Sequence, residues 1–341
     1  MCIKKVAEWS NLKMDTVSTE ILQSALLSKY TFRLRPAKRL TLPKFRGALF
    51  RGGFGKALLN AVCPENACNQ NDCPQRLHCA YSYIFDTPVP DDADVLRLNT
   101  HVTHPFVIEP PHGQKDVYES GDALELNLIL IGKAIDYLPY CVFAFERLGI
   151  MGIGRERVQY GIENVVVADN QVETVIFSGK EKRFLSKGCA LSFDDIMNGR
   201  GEDRQRWQRT GSLEVQCITP ARFEHDSVLV VEGLEFHILL RSILRRLSTL
   251  IYFHCGKLAL PIDYKQLIED ARGITIGKSN LAWEDHERYS ARKGKKMKLG
   301  GLTGSIGYQG NLDPFVPFLL LAEYIHVGKS VSFGFGQVRI R

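Results

Sequence analysis

The sequence predicts an α+β protein made of two copies of one βαββαβ unit. Three observations carry that prediction. Residues 118–160 read strand, helix, glycines, strand; the same order recurs between residues 212 and 341; and 341 residues at 45% hydrophobic content suffice for two cores better than for one. This is the ferredoxin-like arrangement, here in tandem. It divides the chain into an N-terminal extension (1–28), a first unit (29–165) with an inserted cysteine loop (63–79), and a connecting segment (166–208). A second unit (209–341) carries a basic hairpin (283–300) and a glycine-rich loop (326–336).

Taken in order, the extension is a polar tail followed by a short amphipathic helix around TEILQSALLSK. Residues 30–35 then alternate apolar and basic side chains, the mark of a half-buried strand with Arg33 and Arg35 on its open face. After Pro43, FRGALFRGGFGKALLNAV spaces Phe45, Leu49, Phe54, Leu58 and Val62 as a helix does, and places Arg46, Arg51 and Lys56 near its start and along its exposed side. Cations at a helix N-terminus oppose the macrodipole unless an anion lies between them, so this segment invites a phosphate. The competing reading is a solvated surface helix. Cys63, Cys68, Cys73 and Cys79 follow, separated by four, four and five residues. Four thiolates in one short polar loop suit a structural zinc ion, with His78 as an alternative ligand and free thiols as the competing reading.

LELNLILIG reads as a central strand, IDYLPYCVFAFERLG as an amphipathic helix, and IMGIGRERVQY as a glycine turn entering a strand with Arg155 and Arg157. The second unit repeats the order with SLEVQCITPARF, the periodic helix LEFHILLRSILRRLSTLIYFHCG and the strand GGLTGSIGYQG. It closes with LDPFVPFLLLAEYIHVG, a nearly uncharged helix that must be buried, a glycine loop, and the strand GQVRIR. In that loop Gly328, Gly334 and Gly336 allow close backbone approach and left-handed φ, so its amides, with Lys329 beside them, suit a phosphate; closure of an ordinary hairpin is the alternative.

A net charge of +6 permits a polyanionic partner without requiring one. No apolar run reaches membrane-spanning length and no secretory leader is visible, so a cytoplasmic protein is expected, and an odd count of nine cysteines fits reduced thiols. The densest positive charge is RYSARKGKKMK, holding Arg288, Arg292, Lys293, Lys295, Lys296 and Lys298 with no acid among them. Tyr289 lies inside it and Trp283 just before, a composition suited to RNA backbone with stacked bases, or else to a solvated hairpin. Arg241, Arg245 and Arg246 share one side of a helix and read either as ligand-facing or as solvent-facing.

Together these blocks resemble the CRISPR precursor-RNA-processing endoribonucleases of the repeat-associated mysterious protein superfamily. Their terminal signature runs Gly-hydrophobic-Gly, five residues, Gly-hydrophobic-Gly; here it is His326-Val327-Gly328, five residues, Gly334-Phe335-Gly336, with His326 replacing the first glycine. The resemblance implies two ferredoxin-like domains that bind precursor crRNA and cut it once per repeat without a catalytic metal. The 2′-hydroxyl attacks, leaving a 2′,3′-cyclic phosphate and a 5′-hydroxyl. It also implies other CRISPR effector subunits as partners. Family members often carry a histidine on the first helix of the N-terminal domain, and the helix over residues 45–62 has none. His326, at the head of the glycine loop near Lys329, is then the expected proton-transfer residue, against the alternative of a structural cap. His286 is second, with Tyr289 as a partner, and Lys56 is expected to stabilise charge; His254 and His237 are expected to be packed. A non-cleaving repeat-RNA-binding subunit and a purely structural one remain as alternative classes.

Overall fold

The computed structural model describes residues 16–63, 73–74, 78–90, 92–93, 102–111, 113, 115–169, 172–290 and 295–341, the side chains of 16, 169, 287–290 and 295–298 excepted. The N-terminal domain runs β1 (Leu26–Pro36), α1 (Gly47–Val62), β2 (Phe106–Glu109), β3 (Leu124–Ile131), α2 (Leu138–Met151) and β4 (Tyr160–Asp169). Its sheet places them in the order β2-β3-β1-β4, all antiparallel. Second, third, first, fourth is the ferredoxin-like order, as expected. Strands at 172–178 and 183–184 lengthen the sheet beyond β4, so part of the segment read as a connection is sheet. Arg155 and Arg157 lie in the turn before β4, not in the strand.

The C-terminal domain runs β5 (Ser212–Ala221), α3 (Phe236–His254), β6 (Thr275–Ser279), β7 (Ala282–Ser290), β8 (Lys295–Gln309), α4 (Val316–Ile325) and β9 (Val338–Ile340). Its sheet repeats the order, β6-β8-β5-β9. β7 pairs with the first half of β8 from Ala282↔Thr303 to Ser290↔Lys295, a two-stranded arm standing out from the sheet. α4 is buried along eight of its ten residues, which its uncharged sequence requires. None of the described helices is long and apolar enough to cross a membrane.

The seam between the domains is legible in β3. Its first half alternates, with Leu124 and Leu126 buried and Glu125 exposed, but Leu128, Ile129, Leu130 and Ile131 are all buried. Leu128 and Leu130 join the core under α1 and α2, whereas Ile129 and Ile131, with Val107 of β2, join the core of the C-terminal domain. Both faces of the strand are therefore covered, one by its own helices and one by the other domain. Close backbone contacts fix the two halves: a Cβ on Gly132, after β3, would sit 2.1 Å from the His254 carbonyl oxygen at the end of α3. His254 Nε2 donates to the Thr103 carbonyl (2.8 Å) and Nδ1 accepts from the Tyr83 hydroxyl (3.1 Å). Burial, against the opposing Thr103 bond, lowers its pKa to about 4, so the ring stays neutral and packed as expected.

Candidate active site

α4 ends at His326, whose backbone (φ 61°, ψ 170°) lies where side-chain-bearing residues rarely go. Its imidazole is completely buried. Nδ1 donates to the Phe335 carbonyl (3.0 Å) and Nε2 to the Glu109 carboxylate (3.1 Å), across the seam at the end of β2. Lys29 Nζ (2.6 Å) and Asn127 Nδ2 (2.8 Å) also donate to Glu109. Burial alone would raise the Glu109 pKa, but the His326 bond and charge, with Lys29, bring it down to about 2. An ionised carboxylate and a carbonyl are both acceptors only, so the ring between them carries a proton on each nitrogen. With both nitrogens engaged and no exposed surface, His326 has no route to a scissile phosphate. The expected proton-transfer role is replaced by a structural one: an ion pair that staples the glycine loop to the N-terminal domain.

The loop itself departs from the expected phosphate cradle. The Gly328 amide donates to Ser242 Oγ (2.9 Å), Lys329 to the Arg222 carbonyl (2.8 Å), Gly334 to Val331 (2.8 Å) and Gly336 to Pro220 (2.9 Å). These amides are spent within the protein. Its three signature glycines all have positive φ, and the close approaches they permit are also internal. A Cβ on Gly336 would lie 1.8 Å from the Val327 carbonyl oxygen, and one on Gly334 2.7 Å from the Ile108 carbonyl oxygen of β2. Lys329 is paired with Glu224.

The first turn of α1 packs on this loop. A Cβ on Gly47 would strike the Phe333 carbonyl oxygen at 1.8 Å. Arg51 donates to Ser332 Oγ (2.8 Å), lies 3.1 Å from His104 Nε2, and is held between the Phe85 and Phe333 rings at 4.3 and 4.4 Å. Arg46 is buried against Asp116 (2.6 Å) and the Pro111 carbonyl (2.8 Å). Both arginines, expected to face RNA, are instead committed to holding the loop and the chain around α1. Lys56 is exposed, about 13 Å further along the helix axis, and does not line the cleft described next.

What the packing leaves open is a cleft of about 370 Å³ between the domains. Lys44, Phe45 and Gly47 at the start of α1 form one wall, Phe333, Gly334 and Phe335 of the loop another, and Glu284 and His286 of β7 a third. The His286 ring stacks on Phe45 (centroids 5.5 Å apart, 28° between planes) and meets the edge of Phe335. Its side chain is 15% exposed, while Nε2 is shielded from solvent and has no hydrogen-bond partner among the described residues. The nearest carboxylate, Glu284 Oε1, stands 3.6 Å from that nitrogen. A partly exposed imidazole on a cleft wall is better placed for proton transfer than the fully enclosed His326 ring.

The arm of β7 and β8 runs about 14 Å past His286 to Ser290. Arg288, Tyr289, Lys295, Lys296 and Lys298 lie in its strands but outside the described side chains, and Arg292 and Lys293 lie outside the described residues. Cys68 is also outside them; Cys63, Cys73 and Cys79 are half-buried free thiols, and the described residues form no group of three metal ligands. Sequence reasoning missed Lys44, Phe45 and Glu284. The signal for Glu284 was present, since residues two apart on a strand share a face and Glu284 and His286 are so placed.

Residues 215–338 match the family model described as CRISPR-associated endoribonuclease Cas6, and residues 23–188 match one described as an N-terminal domain. A protein of Archaeoglobus fulgidus, described as uncharacterized, is 27% identical over 303 residues, covering 88% of this chain and 93% of that one. A solved Cas6 product complex superposes with a TM-score of 0.54 at 16% identity, covering 93% of this chain and 99% of that chain. A Thermus thermophilus Cas6 gives 0.51 at 15%, with the same coverage. A partial Cas6-RT-Cas1–Cas2 complex also gives 0.54 at 14%, but this chain spans only 46% of that one. At these identities the superpositions establish a shared fold.

Proposed function

Taking as premise that this chain belongs with the Cas6 endoribonucleases, whose family model its C-terminal domain matches, we propose that it processes CRISPR repeat RNA by cutting in the cleft at His286. The substrate's own 2′-hydroxyl attacks the adjacent phosphorus while the His286 imidazole takes its proton. The bond from phosphorus to the 5′-oxygen breaks, and that oxygen takes a proton from solvent. The products are a 2′,3′-cyclic phosphate and a 5′-hydroxyl, with no metal in the step. Glu284 steadies the imidazolium that forms, and Lys44, exposed at the cleft wall, offsets charge on the phosphorane. The basic arm beyond His286 supplies backbone contacts to the repeat.

One observation carries this reading: the His286 ring lines the domain cleft partly exposed, whereas the His326 ring is enclosed with both nitrogens bonded. His286→Ala is expected to slow single-turnover cleavage in EDTA by at least about a hundredfold, while RNA with a 2′-deoxy at the scissile nucleotide stays intact. Cutting of the 2′-deoxy RNA, or a normal rate in His286→Ala, overturns it. A second reading, a repeat-binding subunit that does not cut, is favoured by α1 having no histidine to complete an acid–base pair. Wild-type protein that binds repeat RNA yet leaves it whole would decide for that reading.

The proposal of structural zinc on Cys63, Cys68, Cys73 and Cys79 rests on their spacing and thiol chemistry. One zinc per chain in protein purified without chelator is expected, and its absence removes the idea.

A further inference from the structure

At the other end of the glycine loop, Gly328 and Lys329 border a second cavity of about 370 Å³ whose lining includes Arg222, Arg241, Arg245 and Arg246. We propose that this cavity is a phosphate-binding subsite of the C-terminal domain, occupied by a phosphodiester of the RNA whose scissile bond lies in the cleft. The inference rests on the RNA-processing reading for its ligand, but the site is built from charge that the protein leaves uncompensated.

Glu224 is the one carboxylate in the lining, and it is already paired with Lys329. Arg222 and Arg245 also act on Glu224, whose pKa is lowered first by the Lys329 bond and charge. Among the described residues no carboxylate pairs with Arg241, Arg245 or Arg246.

Arg246 is the informative member. Its Nε donates to the Ile325 carbonyl at the end of α4 (2.6 Å), while Nη2 is shielded from solvent and has no partner among the described residues. Burial pulls its pKa down to about 9, and its charge helps to hold His254 neutral. A shielded guanidinium without an anion is costly to keep, and removal of the charge by substitution is the ordinary remedy. An anion entering the cavity from the Arg241 and Arg245 side would supply the missing counter-charge. Several guanidinium groups around one small space suit phosphate better than a single carboxylate, because each planar fork can take two phosphate oxygens.

The test uses the full chain and two probes. In a salt series with an uncleavable 2′-deoxy repeat RNA, Arg241→Gln/Arg245→Gln is expected to bind on the order of tenfold more weakly. Its log–log salt slope should fall by roughly 0.7 for each single-strand phosphate that the variant no longer neutralises. In parallel, wild-type melting temperature is followed against inorganic phosphate. Phosphate-dependent stabilisation that disappears in Arg246→Met, with unaltered RNA slopes, assigns the subsite to a free or terminal phosphate. A reduced RNA slope assigns it to the backbone. Should both variants match wild type with both probes, the subsite does not exist. Should Arg246→Met fail to fold, the exposed Arg241→Gln/Arg245→Gln pair decides. Wild-type protein that cuts no repeat RNA while these binding differences persist would end the nuclease reading and leave the subsite standing.

Discussion

The two domains turn from second helix to last strand in the same way but with different residues. α2 is capped by Gly152 at φ 76°, ψ 152°, and α4 by His326 at φ 61°, ψ 170°; each cap amide donates back to the carbonyl four residues earlier, at 2.9 Å. Only glycine occupies that region without strain. In the N-terminal domain glycine meets the need, and a Cβ there would lie 2.1 Å from the Arg157 carbonyl oxygen. In the C-terminal domain a histidine accepts strain of about 1–3 kcal/mol, offset by two buried hydrogen bonds, one an ion pair reaching the other domain. One turn serves local geometry alone, and the other has been turned into an interdomain bond.

That contrast can be tested by exchanging the residues. His326→Ala keeps the strained backbone and leaves Glu109 short of a buried partner, so a loss of about 3 kcal/mol is expected from urea unfolding. His326→Gly loses the same bonds but releases the strain, and should be less destabilised by about 1–2 kcal/mol. A glycine variant no better than the alanine one would show that the cap is not strained. Next in size is Gly152→Ala, expected to cost about 2 kcal/mol because no side-chain bond compensates there; wild-type stability would break the parallel between the two turns. The remaining test is the pH dependence. Glu109 is held at about 2 when folded, against 4.5 when free, so its pairing contributes fully above the unfolded value and is lost as pH falls from about 4.5 through about 2. Glu109→Gln should flatten acid unfolding across that window, and an unchanged profile would mean that the pair does not titrate with folding.

Much of this was readable in the residues. Both ferredoxin-like units and the burial of α4 follow from periodicity, absence of charge and glycine spacing, together with the family resemblance. β2 did not announce itself, because its four residues are all buried and so carry no alternation. The setting of His326 escaped the sequence for a related reason. Position beside a glycine loop made His326 attractive, but its partner Glu109 is 217 residues away in sequence, and only the folded chain shows the pair closed. His286 gains its meaning from Phe45 and Phe335, which approach it from distant segments.

The double-sided burial of β3 bears on how the molecule is made. A ribosome releases the N-terminal domain first, with Ile129, Ile131 and Val107 formed into a sheet whose second face is fully covered only when the C-terminal domain arrives. Folding of the first half is thus completed by the second, and unfolding should register as one cooperative transition instead of two. An isolated fragment ending near residue 208 would display that apolar face to solvent, inviting aggregation or chaperone capture, although the fold diagram alone would mark it as a self-sufficient unit.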